Sequence, residues 1–354
     1  MLVSGNARGT DRGGVAPTVG LADIAGGAAD LAVDETSLPP NPLIVVDLNL
    51  DQWEYADAAV AALERRTVVV VGFARTGLPP AATPILEALT CTLAPDGPGR
   101  TWTPGTTGDL AQIAATVSAA PRAALTLTGL LELTSRSCVA DGLVAESLAY
   151  SMLLAGPEFA AWRADRPRRE VPEAADPVLL DRTGDVLTVT LNRPDRHNAF
   201  GRAVRDGVLT GLTIAEHDDS VREIVLRGNG RSFCSGGDLD EFGTATDVSA
   251  AHLVRLQQSA ALATHRLAPR VRALLHGACI GAGIEVPSFA GRVQAAADTR
   301  IRLPELSMGL VPGAGGTVGI THRIGRWRTA FLALTGCDID VDTALAWGLV
   351  DERV

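Results

Sequence analysis

Two glutamates stand where a carboxylate is costly. Glu285 lies in "LLHGACIGAGIEVPSFAG", residues 274–291, with Gly281, Ala282, Gly283 and Ile284 before it and Val286, Pro287 and Phe289 after it. Glu305 follows in "RLPELSMGLVPGAGGT", residues 302–317. A carboxylate in a tight, largely dry pocket has its pKa raised, which suits proton transfer near neutral pH, and two such groups can share one water. Each also has a plainer reading. Glu285 can be a first-turn carboxylate stabilised by a helix dipole, and Glu305 a polar loop residue behind Pro304.

Two glycine-rich turns give the pair something to act with. "ACIGAG" joins an apolar strand to a helix, and Gly281 and Gly283 permit a tight turn and close backbone approach. The first amides of that helix lack intrahelical acceptors and carry the positive end of its dipole, so they can hold an oxygen that gains negative charge. "FCSGGDL", residues 233–239, follows the same logic, with Gly236 and Gly237 between a strand and an expected helical turn. Two such donors aimed at one point make an oxyanion hole, and losing one donor typically costs about 10²- to 10³-fold in rate.

The elements that position these turns read as an α/β chain. Residues 1–40 are rich in Gly, Ala, Asp and Pro and predict a flexible tail, with "LADIAGGAADLAV" able to form a short helix. "LIVVDL" and "TVVVVGFA" predict parallel strands around a helix in "QWEYADAAVAALERR". Helices are expected from "DLAQIAATVSAAPRAALTLTGLLELTSRS" and "VADGLVAESLAYSMLLAGPEFAAWRA". The charged, Pro-rich stretch 165–177 predicts a linker. From 178, two strands with Thr-Gly-Asp at their turn lead into alternating helices and strands. "DVSAAHLVRLQQSAALATHRLA" and "AGIEVPSFAGRV" each predict one helix.

Taken together and in this order, "LTVTLNRPDRHNAF", "FCSGGDL", "HGACIGAGIE", "LPELSMGLVPGAGGT" and "RIGRWRTAFLALTGCDIDVDTALAWGLVD" resemble the crotonase (enoyl-CoA hydratase/isomerase) superfamily over residues 178–354. The resemblance implies a crotonase-like spiral of ββα turns and an acyl-CoA thioester as substrate. It implies that the thioester oxygen is held by the amides of Gly237 and Ala282; the family's usual residue at the second place is Gly, and Ala keeps the N–H. It implies catalysis by Glu305, at the C2 proton, and Glu285, at the water. By the same resemblance Arg193, Arg196, His197, Ser235, Gly236, Asp238, Gly281, Pro312 and Gly313 fall at or beside the substrate and CoA. Asp238 also reads as fixing the loop that makes the hole. No cofactor is implied beyond the coenzyme A of the substrate, and the family habit implies a homo-oligomer, trimer or hexamer. The implied activity is hydration of a 2-enoyl-CoA. A Δ3,Δ2-enoyl-CoA isomerase, which needs one glutamate, and a non-catalytic acyl-CoA-binding subunit stay open.

One departure shapes the domain reading. Family members continue past the "GLV" of residues 348–350 with helices that cover the site and build the trimer. Helices of that pattern stand upstream here, ending in "PEF". The expectation is a degenerate crotonase-like half, 41–164, whose helices 110–164 close the pocket of a catalytic core at 178–354.

Composition excludes other classes. The chain has 354 residues, 46% hydrophobic, with a formal net charge of −10. That charge argues against a nucleic-acid surface. No run approaches the ~18 to 20 apolar residues that cross a bilayer, and the N-terminus lacks a signal-peptide pattern. Five scattered cysteines without a CxxC pair read as reduced thiols in a cytoplasm. Six histidines without HxxxH spacing point away from a metal. All 31 basic residues are Arg, which reads as genome composition.

Overall fold

The computed structural model describes residues 16–167, 169–171 and 175–354. Upstream, β1 (Thr18–Val19), β2 (Leu43–Asp47), β3 (Val69–Phe73) and β4 (Cys91–Leu93) form a parallel sheet in that order. "LIVVD" and "VVVGF" are nearly unbroken apolar runs, as strands covered on both faces require. Their side chains divide by the period of two. Leu43, Val69 and Val71 enter the main core, while Ile44, Val46 and Val70 face a smaller one. That smaller core is closed by α1 (Leu21–Ala25), α2 (Ala56–Leu63) and α3 (Thr83–Ala88).

The expected tail over 1–40 is therefore corrected. Residues 1–15 lie outside the described residues, but β1 pairs with β2, and Leu21 and Ile24 of α1 are buried. The Ala- and Gly-rich composition of this stretch hid an apolar contact made by two residues.

Four helices follow: α4 (Thr107–Ala119), α5 (Pro121–Thr134), α6 (Val139–Leu154) and α7 (Pro157–Ala164). Their starts follow local rules. Thr106 accepts from the Asp109 amide while Asp109 accepts from the Thr106 amide, a reciprocal cap. Pro121 and Pro157 open α5 and α7, where a missing N–H costs nothing. Glu158 of α7 accepts from the Arg122 and Ala123 amides at the start of α5, at 2.8 and 3.1 Å. The linker expected at 165–177 is described only in part.

Downstream, β5 (Val178–Thr183) and β6 (Val186–Leu191) pair antiparallel, and α8 (Arg202–His217) crosses to β7 (Glu223–Gly228). Helices α9 (Val248–Gln257) and α10 (Ala260–Arg266) lead to β8 (Val271–Leu275) and β9 (Ala278–Ile280). Then come α11 (Ala282–Glu285), β10 (Arg292–Ala295), β11 (Arg300–Arg302), α12 (Gly316–Ile324), α13 (Arg326–Thr335), β12 (Ile339–Asp340), α14 (Val341–Trp347) and β13 (Glu352–Arg353). One sheet runs β13-β10-β8-β7-β6-β5 and the other β12-β11-β9. Successive ββα turns wound into two sheets are the crotonase-like α/β architecture that the motifs implied.

Two helices differ from expectation. The segment 247–268 is two helices, because Ser259 breaks the first and caps the second by accepting from the Leu262 amide. The helix expected over 282–293 is four residues long. Pro287, which has no N–H, opens a 3₁₀ turn, and the chain then enters β10. "FCSGGDL" runs into the expected turn, where the Glu241 amide donates to the Asp238 carbonyl at 2.9 Å.

The upstream helices and the downstream sheets share one apolar core. Leu127, Leu131 and Phe159 lie in the same cluster as Ile284, Leu306 and Leu334. Polar ties reinforce the join. The Thr134 hydroxyl donates to the Thr317 carbonyl at 2.7 Å, and Arg100 donates to the Arg323 carbonyl at 2.8 Å.

Candidate active site

A cavity of about 1170 Å³ opens between the two halves. Its floor is the pair of glycine-rich turns, which touch one another. A Cβ placed on Gly236 would meet the Ile280 carbonyl oxygen at 3.2 Å. Gly281, the N-cap of α11, has φ +50° and ψ −120°, where a side chain is strained. A Cβ on it would sit 2.5 Å from Glu305 Oε1, so glycine is required twice over. Among the described residues the Gly237 and Ala282 amides donate to no acceptor. Both residues line the cavity.

Glu285 ends α11 with its side chain buried at 2% exposure. It does not cap its own helix. Its Oε2 accepts from the Ala314 amide at 2.8 Å and the Gly316 amide at 2.9 Å, which leaves Oε1 without a donor among the described residues. Burial pushes its pKa up to about 7, against the pull of those two N–H groups. Glu305 opens a 3₁₀ turn after Pro304, and its Oε2 is buried without a partner. Burial raises its pKa well above the ordinary carboxylate range, and the charge of Glu285 raises it further. The two carboxylates converge on Gly281: the Cβ position that lies 2.5 Å from Glu305 Oε1 lies 3.6 Å from Glu285 Oε1.

The remaining wall comes from upstream. Tyr150 and Leu154 of α6 and Phe159, Trp162 and Arg163 of α7 face the same space. Phe159 stacks on Trp162 with centroids 5.6 Å apart, and Trp162 meets Phe242 of the downstream half at 6.2 Å. The Arg255 guanidinium lies 4.9 Å from the Tyr150 ring centroid.

Of the other residues singled out in the sequence, Ser235, Gly236, Asp238, Gly281 and Gly313 line the cavity. Arg193, Arg196, His197 and Pro312 are not part of its lining. Arg193 and Arg196 instead share Asp238, at 3.3 and 2.8 Å, and Arg196 also reaches Asp240 at 2.6 Å. Asp238 thus anchors the loop that carries Gly237. His197 adopts φ +51°, and its carbonyl accepts from the Ser235 amide at 2.9 Å, so its place is in the turn beneath the floor. Cys234 and Cys279 pair through their backbones beside the floor as free thiols, and burial pushes the Cys234 thiol up to about 12.

Sequence reasoning missed Glu146. This α6 residue is 2% exposed; its Oε1 accepts from the Gly315 amide at 2.7 Å, and its Oε2 from the Thr317 amide at 2.9 Å and hydroxyl at 2.6 Å. Burial, then the charge of Glu285, pushes its pKa up to about 8. The signal was a lone Glu in "GLVAESLAY", the same anomaly that marks Glu285.

Comparison with known proteins identifies the family. The sequence model described as "Enoyl-CoA hydratase/isomerase" matches residues 181–354. The chain is 33% identical over 177 residues to trans-2-decenoyl-[acyl-carrier-protein] isomerase of Streptococcus mutans, covering 49% of this chain and 67% of that protein. It is 32% identical over 175 residues to 2,3-dehydroadipyl-CoA hydratase of Escherichia coli, covering 49% and 68%. Among solved structures, an enoyl-CoA hydratase from Thermoplasma volcanium shares 34% identity at a TM-score of 0.47, over 50% of this chain and 71% of that one.

Proposed function

From the premise that the chain belongs to the enoyl-CoA hydratase/isomerase family, we propose that it adds water across the 2,3 double bond of a 2-enoyl-CoA. One observation carries the reading: two amides without acceptors and two buried carboxylates meet in one cavity. The thioester carbonyl takes the Gly237 and Ala282 N–H groups. As a water oxygen bonds to C3, the Glu285 Oε1 takes its proton, and the electron pair moves through C2 onto the thioester oxygen. Preorganised N–H groups stabilise that enolate oxygen without reorganising. Glu305 then gives its proton to C2, which restores the carbonyl. Glu285 and Glu305 exchange roles in the reverse direction. The chemistry needs no cofactor besides the coenzyme A of the substrate.

Raised pKa values support this division. One carboxylate must hold a proton while the other has lost it, and burial with mutual repulsion keeps such a pair in the singly protonated state near neutrality. The test is loss of enoyl absorbance on adding crotonyl-CoA. Turnover is expected. Tight binding of acyl-CoA with no turnover of any enoyl chain length would instead support a binding subunit.

A second reading is favoured by the Streptococcus mutans relative, whose name is that of an isomerase. Moving a double bond needs one proton shuttle, and Glu305, with Oε2 unpartnered, would suffice. Glu285→Gln separates the readings: hydration is lost, and isomerisation of a 3-enoyl-CoA persists.

A further inference from the structure

Four consecutive amides open α12, and two buried carboxylates take them alternately. Ala314 and Gly316 donate to Glu285, while Gly315 and Thr317 donate to Glu146. The first carboxylate belongs to the downstream half and the second to α6 of the upstream half. We propose that Glu146 is a positioning residue of the active site, holding the 314–317 turn from the far side so that Glu285 keeps one oxygen tied and the other facing substrate. This inference rests on the hydratase reading for its kinetic consequence only.

The hydrogen-bond inventory separates the two roles. Both Glu146 oxygens are occupied, by two amides and the Thr317 hydroxyl, so Glu146 has no lone oxygen aimed at the cavity. Glu285 spends Oε2 on two amides and keeps Oε1. A carboxylate accepts in two directions at once, which a glutamine cannot do, because its NH₂ end faces the second amide as a donor. Replacing Glu146 therefore leaves at least one buried N–H unpaired and frees the turn to rotate. Glu285 would then lose its two fixed donors. Gly316 leaves no slack for that movement, since a Cβ there would meet Glu285 Cγ at 2.7 Å.

The titration of Glu285 gives a second link. The groups that face Glu146 are Glu285 on α11, Glu305 on the turn after Pro304, Tyr150 on α6 and Arg255 on α9. The Ala314 and Gly316 amides hold the Glu285 pKa down against burial. A turn freed by the loss of Glu146 withdraws them, so Glu285 gives up its proton at higher pH and the acidic limb of a kcat/KM profile moves up.

The experiment uses the full chain as wild type, Glu146→Gln and Thr317→Val, with crotonyl-CoA as substrate. In parallel, proteins carrying ¹³C-carboxyl glutamate are titrated by NMR without substrate, with Glu285→Gln to assign the Glu285 signal. The expected result for Glu146→Gln is a loss in kcat of about 10- to 100-fold with KM nearly unchanged, as a displaced catalytic group gives, and a Glu285 step at higher pH. Thr317→Val, which removes only the hydroxyl, gives smaller changes of the same sign and stands in if Glu146→Gln does not fold. A Glu146→Gln protein, or failing that Thr317→Val, with a lowered melting temperature but wild-type kcat and an unmoved Glu285 step overturns the inference. If wild type itself does not hydrate crotonyl-CoA, the hydratase reading fails, and the Glu285 titration still decides the role of Glu146.

Discussion

Two strand exits invite comparison. After β3 the chain runs Ala74 to Leu78, and the amides of its buried residues are spoken for: Ala74 donates to the Leu93 carbonyl and Leu78 to the Asp96 carbonyl, while Arg75, Thr76 and Gly77 between them are exposed. After β9 the chain turns at Gly281, and the Ala282 amide donates to no acceptor among the described residues. Both exits leave a buried parallel strand. One returns the donors of its buried residues to the fold, and the other leaves one over at the buried Ala282. Buried N–H groups are ordinarily paired, so a leftover donor in a cavity marks a place reserved for a ligand. On the proposed reading, the upstream half contributes walls and Glu146, and the downstream half contributes the reacting groups.

The sharpest way to break that division is to separate the halves. Residues 176–354 expressed alone would expose the face that α5, α6 and α7 cover, including Val318, Leu306 and Leu334, all nearly inaccessible in the whole chain. Apolar burial is worth about 25 cal/mol per Å², so the expected outcome is an aggregated or molten fragment without activity. Gel filtration, circular dichroism and crotonyl-CoA turnover read it. A soluble, fully active fragment would show that the upstream helices are dispensable.

Within the intact chain, Glu305→Gln and Glu285→Gln are expected to lower kcat by about 10²- to 10⁴-fold each, the usual worth of positioned acid–base help. Both should leave acyl-CoA affinity near wild type, since the amides remain. The wild-type profile should be bell-shaped, with limbs that belong to the coupled pair, and each variant should lose one limb. Equal turnover in either variant would move the chemistry elsewhere in the cavity.

Ala282→Pro tests the leftover donor itself. Ala282 is the first residue of α11, where proline is tolerated. The substitution removes one N–H and little else, and the expected loss in kcat is about 10²- to 10³-fold. A Gly237 amide able to carry the oxyanion alone would show as a loss of less than about tenfold.

How far these regions were legible in the sequence follows from what each is made of. Glu285 and Glu305 stood out because a charge in an apolar run has no cheap structural explanation. The strands from Val178 to Gly228 were read from alternation and turn residues, which are local signals. Glu146 carried the same anomaly as Glu285 but sat in a helix whose docking partner is far along the chain, and no local pattern says which amides it meets. The short helix allowed from Leu21 forms as α1, but the burial of Leu21 and Ile24 was passed over because β1 and α1 are too short for periodicity to register. Arg193 and Arg196 show the converse: guanidinium chemistry suits phosphate, but the sequence does not reveal that Asp238 and Asp240 hold them first.

The smallest expected effect sharpens the comparison between a group kept for chemistry and one kept for packing. Glu305 has its pKa raised in the fold above the unfolded value near 4.5. A raised carboxylate contributes stability that is fully present below the unfolded pKa and declines as pH rises toward the folded one, because the unfolded chain sheds the proton more readily. Glu305→Gln cannot ionise and so escapes that decline. The variant should gain on wild type in melting temperature as pH goes from 5 to 8. Glu158→Gln on α7 is the contrast: its carboxylate is fully used by the Arg122 and Ala123 amides, so the substitution should destabilise at both pH values. Thermal unfolding of both variants at the two pH values decides it. Parallel curves for wild type and Glu305→Gln would mean that Glu305 rests in the fold at no electrostatic cost, and it would then lose its claim to be the proton donor.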